Sequence, residues 1–366
     1  MTQPKLELIE LTKEFEGGSV AAVDGVDLRV DAGETLALLG PSGCGKSTLL
    51  NMIVGLEMPS AGDIHVDGKS VLGLPAGQRN IGLVFQDYAV FTHMSVAKNL
   101  SFGLEVRGLA KAEIERAVYE VADLLDMRAQ LNVRASELGG SELQRVAIGR
   151  TLVTKPSILL LDEPLSNLEA GARLAMRREL RRLQSEIGLT IIYVTHDQIE
   201  ALSLANRIAV MSHGKIRQVE RTAVIFDRPD HLFVASFLGS PPMNLLRGHL
   251  MRNAAEAVFE SAHLALTLPL ASDAAVEGSA RTQAILGIRP ESVQLTDPAH
   301  APWAGRVVLV ELRGYEAVVT LELGPQSIKV VTLASERPAE GATVGLRFDA
   351  ASCVLFDGDT SHRLVA

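Results

Sequence analysis

Residues Gly40 to Thr48 read GPSGCGKST, a full match to G-x-x-x-x-G-K-[ST], and the flanks matter as much as the match. A short apolar run, Thr35 to Leu39, leads into it, and an apolar helical segment, Thr48 to Leu56, leads out. Strand, glycine loop and helix in that order form the context in which this pattern cradles phosphates. The glycines let backbone N–H groups turn inward, and the helix adds its positive end. Lys46 is placed to reach the β- and γ-phosphates of a nucleotide and Ser47 to ligate Mg²⁺. Gly40, Pro41, Ser42, Gly43, Cys44, Gly45 and Thr48 complete the cradle. Cys44 sits near the helix N-terminus, which favours a thiolate, although a small residue that simply fits the loop is the plainer reading.

Three further strand ends carry polar residues. The run Ile158 to Leu161 ends in Asp162-Glu163-Pro164, with Asp162 suited to hold Mg²⁺ and Glu163 to polarise an attacking water as general base. Thr190 to Val194 ends in Thr195-His196-Asp197, where His196 can meet a γ-phosphate and keep the water in place. Ile81 to Phe85 ends in Gln86-Asp87, and the Gln86 amide oxygen can reach the metal or its water. Both long apolar runs are brief and β-branched, as buried parallel strands are. Phe15, after Lys13-Glu14, is either an adenine-stacking ring or a core phenylalanine.

Composition narrows the setting. The 366 residues suffice for two domains, and 47% hydrophobic with 22% charged is an ordinary globular balance. A net charge of -9 gives no general attraction to nucleic acid. No apolar run suits a membrane span and the N-terminus lacks a signal-peptide pattern, so a peripheral role at the cytoplasmic face of a membrane is expected. Met176, Leu180, Leu183 and Ile187 form an apolar helical stripe, and Arg173, Arg177 and Arg181 a row read as a solvated face. Helical spacing of Ile114, Ala117, Val118, Val121 and Leu125 suggests a helical subdomain over about 87–155. After Gly239-Ser240-Pro241-Pro242 the texture turns to short alternating strands at 264–268, 284–288, 306–311, 317–323, 327–333 and 343–348. Such spacing suits a small β-barrel or sandwich of the OB type. The expected division is 1–238 and 239–366.

Between Glu137 and Arg150 the chain reads ELGGSELQRVAIGR. With the motifs above, it resembles the signature of ABC-transporter nucleotide-binding subunits. Three further stretches are similar to the carbohydrate and glycerol-phosphate importer ATPases related to the maltose system: NIGLVFQDYAVFTHMSV from Asn80, FVASFLGSPPMN from Phe233 and LGIRPE from Leu286. The resemblance implies an α/β P-loop ABC ATPase domain with a helical subdomain, followed by an all-β OB-like (TOBE-type) C-terminal domain. It also implies a homodimer or heterodimer in which ATP lies between the Walker residues of one subunit and the signature of a second ATPase subunit. Leu138, Gly139, Gly140, Ser141 and Glu142 are the signature residues expected to face the partner's ATP. A transmembrane permease seated near Gln86 to Leu104 and an extracytoplasmic solute-binding protein complete the implied system.

This chain departs from the family pattern at four places. Gly139 stands at the family's Ser position, Ser141 at its second Gly, Glu142 at its Gln, and Glu169 at the Asp of its Ser-Asn-Leu-Asp loop. Loss of a hydroxyl and gain of a carboxylate are expected to weaken the closed state. Ser141 and Gln144, three apart, suggest a capping box that keeps the helix N-terminus formed. The leading expectation is an importer ATPase for a carbohydrate or glycerol-type polyol. The alternatives are import of polyamine, iron or sulfate, or a poorly catalytic member of a heterodimeric ATPase pair. A soluble ABC protein of DNA repair or translation would need a long coiled coil or a second cassette, and neither lies between Lys46 and Leu138.

Overall fold

The structure is a computed structural model and describes residues 3–17, 20–252, 257–261, 264–268 and 281–364. It divides into two units, Met1–Thr222 and Ala223–Ala366. In chain order the first carries β1 (Leu6–Lys13), β2 (Val23–Val30), β3 (Thr35–Leu39), β4 (Ala61–Val66), β5 (Lys69–Ser70) and β6 (Ile81–Val84). Then follow β7 (Ile158–Asp162), β8 (Thr190–Thr195), β9 (Arg207–Ser212) and β10 (Lys215–Arg221). Its helices include α1 (Lys46–Val54), α2 (Val96–Val106), α3 (Lys111–Leu124), α4 (Gly140–Leu152), α5 (Ala170–Ile187) and α6 (Gln198–Leu204).

The central sheet has the order β10-β9-β3-β8-β7-β6, parallel except for β10. Its apolar runs are continuous because both faces are covered. Leu36, Leu38, Ile158 and Leu160 pack with α1 and the antiparallel sheet β2-β1-β4-β5. Leu159, Leu161, Ile191 and Tyr193 pack on the other side with residues of α2, α3, α4 and α5. Register then places the chemistry: Leu39 pairs with Thr195, Asp162 with Val194 and Val84 with Leu161. Four carboxyl ends therefore stop at one level, where an open α/β sheet binds its ligand.

The second unit holds two antiparallel sheets around a shared core. One contains Asn244–Arg252, Ala257–Ser261, Leu264–Leu268, Arg281–Ile288, Cys353–Asp357 and Arg363–Leu364. The other contains Gln294–Thr296, Trp303–Arg313, Glu316–Leu323, Gln326–Leu333 and Thr343–Arg347. Leu246, Leu286, Leu321 and Leu346, from both sheets, share that core.

The expected boundary at 238/239 falls inside this unit, because the preceding residues are tied to it. Arg289, only 6% exposed, donates to the carbonyls of Phe226 and Leu238 and stacks 3.9 Å over the Phe226 ring. Burial lowers its pKa to about 10.

Candidate ATP site and signature

The phosphate loop is shaped by contacts that exclude side chains. A Cβ at Gly40 would stand 2.3 Å from the Met211 carbonyl oxygen. At Gly45, where φ is +109°, it would stand 2.2 Å from that of Ala22. Lys46 is buried, and its ammonium donates to the carbonyls of Gly40 at 2.8 Å and Pro41 at 2.9 Å. Pro41, Ser42, Gly43 and Ser47 are exposed and Thr48 is half-buried. Cys44 is buried, and burial pushes its thiol above the usual range despite the nearby Lys46. The thiolate reading is therefore set aside: Cys44 is a packing residue of the core under the loop.

The Ser47 hydroxyl lies beside Asp162. Burial, and then the neighbouring Glu163 charge, raise the Asp162 pKa, while Ser47 and Lys46 oppose the rise. Glu163 leaves the strand in a left-handed conformation, φ +43°, and its N–H donates to Val194 at 3.0 Å. Its carboxylate lies 3.1 Å from His196 Nδ1, so β7 and β8 deliver the two polar groups into contact. Gln86 turns elsewhere: its Nε2 donates to Ser166 Oγ at 3.4 Å, and Ser166 Oγ donates to the Glu163 carbonyl at 2.9 Å. Asn167 Nδ2 holds the Gln86 carbonyl at 2.8 Å. The structure thus joins Ser47 with Asp162 and Glu163 with His196, and links Gln86 to them through the loop after Glu163. Phe15 is 47% exposed with the Lys13 ammonium 5.0 Å over its ring, which removes the core alternative.

One supporting residue was missed in the sequence. Glu200, 3% exposed, accepts from the Tyr193 hydroxyl at 2.7 Å and the Thr195 hydroxyl at 2.8 Å. Asp197 caps α6 through the N–H groups of Ile199 and Glu200, fixing the turn that carries His196. Arg173 lies 3.8 Å from both Asp197 and Glu200. The arginine row is therefore not a uniformly solvated face: Arg173 and Arg177 are half-buried and Arg181 is exposed. The signal for Glu200 was an acid one helical turn after a candidate histidine.

The signature forms the N-terminus of α4, but not as the capping box expected. Gly139 is the N-cap, at φ -76° and ψ 167°, and Gly140 starts the helix. Ser141 is already inside it, so its hydroxyl is not the cap, and Gln144 is fully buried with neither amide atom partnered. Glu142 supplies the return contact instead, accepting from the Gly139 N–H at 2.8 Å. Leu138 packs against the helical core, and Arg145 Nε pairs with Glu179 at 2.9 Å.

A nucleotide loop, a strand-end acid pair with a histidine, and a glycine-led helix N-terminus on one unit define an ABC-type ATPase. Residues 23–166 match the ABC transporter family, 239–293 the MalK OB fold domain and 286–356 the TOBE domain. The chain belongs to the ABC transporter family, as an ATP-binding ATPase subunit with MalK-type OB fold and TOBE domains. It is 42% identical, over 98% of its length and 99% of the relative's, to the sn-glycerol-3-phosphate import ATP-binding protein UgpC of Salmonella typhi. UgpC 3 of Rhizobium johnstonii is 41% identical over the same shares. Among solved structures, cbiO1 of Clostridium perfringens, part of an ABC transporter complex, matches 62% of this chain and 92% of its own, with TM-score 0.57 and 29% identity. The ATP-binding cassette MJ0796, in a dimeric post-hydrolysis state with ADP and Pi, matches 59% of this chain and 98% of its own, with TM-score 0.53 and 28% identity. Among the described residues no helix is long and apolar enough to cross a membrane.

Proposed function

We propose that this chain powers import of sn-glycerol-3-phosphate or a related polyol, with two ATPase subunits closing on ATP and a membrane permease coupled to their motion. The Glu163–His196 contact at the sheet's carboxyl edge, beside Ser47 and Asp162, supports the ATPase part of this reading, and the 42% identity to UgpC supports the solute. The permease seats near 86–104, an extracytoplasmic binding protein delivers the solute, and the chain works at the cytoplasmic face of the membrane. Most site residues take the roles expected of them, but Gln86, whose amide donates to Ser166, has to leave that bond to reach the metal or its water. Lys46 leaves the loop carbonyls for the nucleotide phosphates, Glu163 accepts the proton of the attacking water, and His196 holds Glu163 and that water in line. Phe15 stacks on adenine.

A magnesium ion brought with the nucleotide fits the donor set. Ser47 and Asp162 offer hard oxygen donors beside each other, and Mg²⁺ needs only one or two protein groups beside phosphates and water. Bound there, it would offset phosphate charge.

The test is steady-state phosphate release by the purified chain. Glu163→Gln is expected to lower it by about 10²–10⁴-fold and to leave an ATP-bound dimer on sedimentation. Unchanged turnover removes Glu163 from the reaction. A second reading, in which the chain contributes mainly through pairing with another ATPase, draws on Gly139 and Glu142; it predicts turnover only in the mixture. Loss of labelled sn-glycerol-3-phosphate uptake on deleting the gene tests the solute.

A further inference from the structure

Position 142 is the third residue of α4, where a carboxylate faces the helix's own unpaired N–H groups. One Glu142 oxygen accepts from the Gly139 N–H at 2.8 Å, and the other accepts from Gln130 Nε2 at 2.5 Å. Gln130 comes from the single helical turn Arg128–Gln130, ahead of the signature in sequence. Its own amide oxygen is buried without a partner. Flipping that amide would set oxygen against oxygen, so the carboxylate dictates its orientation.

We propose that Glu142 is an internal counter-ion of the signature helix, anchored by Gln130, that a nucleotide phosphate on the partner subunit has to displace. This rests on the two-subunit ATP site proposed above. The carboxylate takes a backbone donor that an anion would use, and it cancels the positive end of α4. ATP-driven closure therefore starts from an occupied site, and the charge of Glu142 raises the ATP concentration that closure requires.

A second consequence follows at Gly139. Its backbone accepts a side chain, and an added Cβ would lie 3.7 Å from the Glu142 carboxylate. A serine hydroxyl placed there is within reach of that carboxylate, which captures it. Restoring the hydroxyl alone is then of little use until Glu142 is also changed, so the two positions are coupled.

The experiment measures the ATP concentration giving half-maximal dimer in the full-length Glu163→Gln background by sedimentation velocity, together with melting of each variant without nucleotide. Glu142→Gln is expected to lower that concentration about 5–10-fold, because a charge is removed and the acceptor is kept. It is also expected to lower the melting temperature slightly, since the helix loses its counter-ion. Opposed signs separate this role from a structural one, which would impair both. Glu142→Asp, which keeps the charge, stays near the parent, and Gln130→Leu, which loosens the anchor, gives a smaller fall of about 2–3-fold. Gly139→Ser alone changes the ATP concentration by less than twofold, while Gly139→Ser with Glu142→Gln exceeds the product of the single effects.

An ATP-closing parent in which Glu142→Gln leaves the concentration unchanged, or raises it, overturns the proposal and leaves the two-subunit site standing. No ATP-dependent dimer in any variant, with or without a second ATPase chain, overturns both.

Discussion

The face built on the phosphate loop and the face built on the signature differ in how their polar groups are spent. On the first, Lys46 is held by two loop carbonyls, Ser47 lies beside Asp162, and Glu163 meets His196. A phosphate would replace those carbonyls as the partner of the Lys46 ammonium and bring the opposite charge, so the exchange favours a nucleotide. On the second face the helix N-terminus is engaged by its own charged Glu142, with Gln130 behind it. The bonds on both faces are charge-assisted, but an incoming phosphate has the sign opposite to Lys46 and the same sign as Glu142. On the proposed two-subunit site, an intact set of Walker residues is then not enough for two good ATP positions.

The sharpest way to break the comparison is at Gly45. Alanine there must adopt φ +109° with its Cβ 2.2 Å from a carbonyl oxygen. Loss of ATP binding by calorimetry and about 1–3 kcal/mol of stability are expected. Parental binding would mean the loop is not held in advance. A smaller effect is expected at Glu200. Alanine there orphans the Tyr193 and Thr195 hydroxyls, at about 3 kcal/mol, and loosens the turn bearing His196. Turnover falls more than the KM for ATP rises; a change in KM alone would put Glu200 outside the support of His196. The smallest is at Glu169, the N-cap of α5, whose side chain makes no capping bond. Glu169→Asp, one methylene shorter, is expected to add about 0.5–1 kcal/mol in thermal unfolding. No gain would show that the loop, not side-chain length, keeps the cap unfilled.

Much of the site was legible because each motif ends a buried apolar strand, a pattern with a short period and a clear stop. Gln86, Asp162-Glu163 and Thr195-His196 were found that way, and strand register brings their strand ends level. Strands that hide their alternation were not legible. Asn244–Arg252 places Leu245, Leu246, Leu250 and Met251 at a spacing that also fits a helix, and pairing with Arg281–Ile288 and Ala257–Ser261 makes it a strand. The capping reading failed for a related reason. Ser141 and Gln144 have the right interval, but the helix starts one residue before Ser141, at Gly140, which leaves the N-cap at Gly139 and puts Glu142 at the third helical position.

By itself the sequence determined the nucleotide loop, the strand-end acids and histidine, and the family, because these depend on residue types within a few positions of a backbone turn. The tertiary structure alone decided which charges face each other. That Glu200 supports the histidine strand, that Arg173 lies among acids and that Glu142 is clasped by Gln130 are facts of contact between separate segments. Glu200 left a trace in local spacing, one helical turn after His196. The Arg173 and Gln130 contacts left none, since packing sets the distance between residues far apart in the chain.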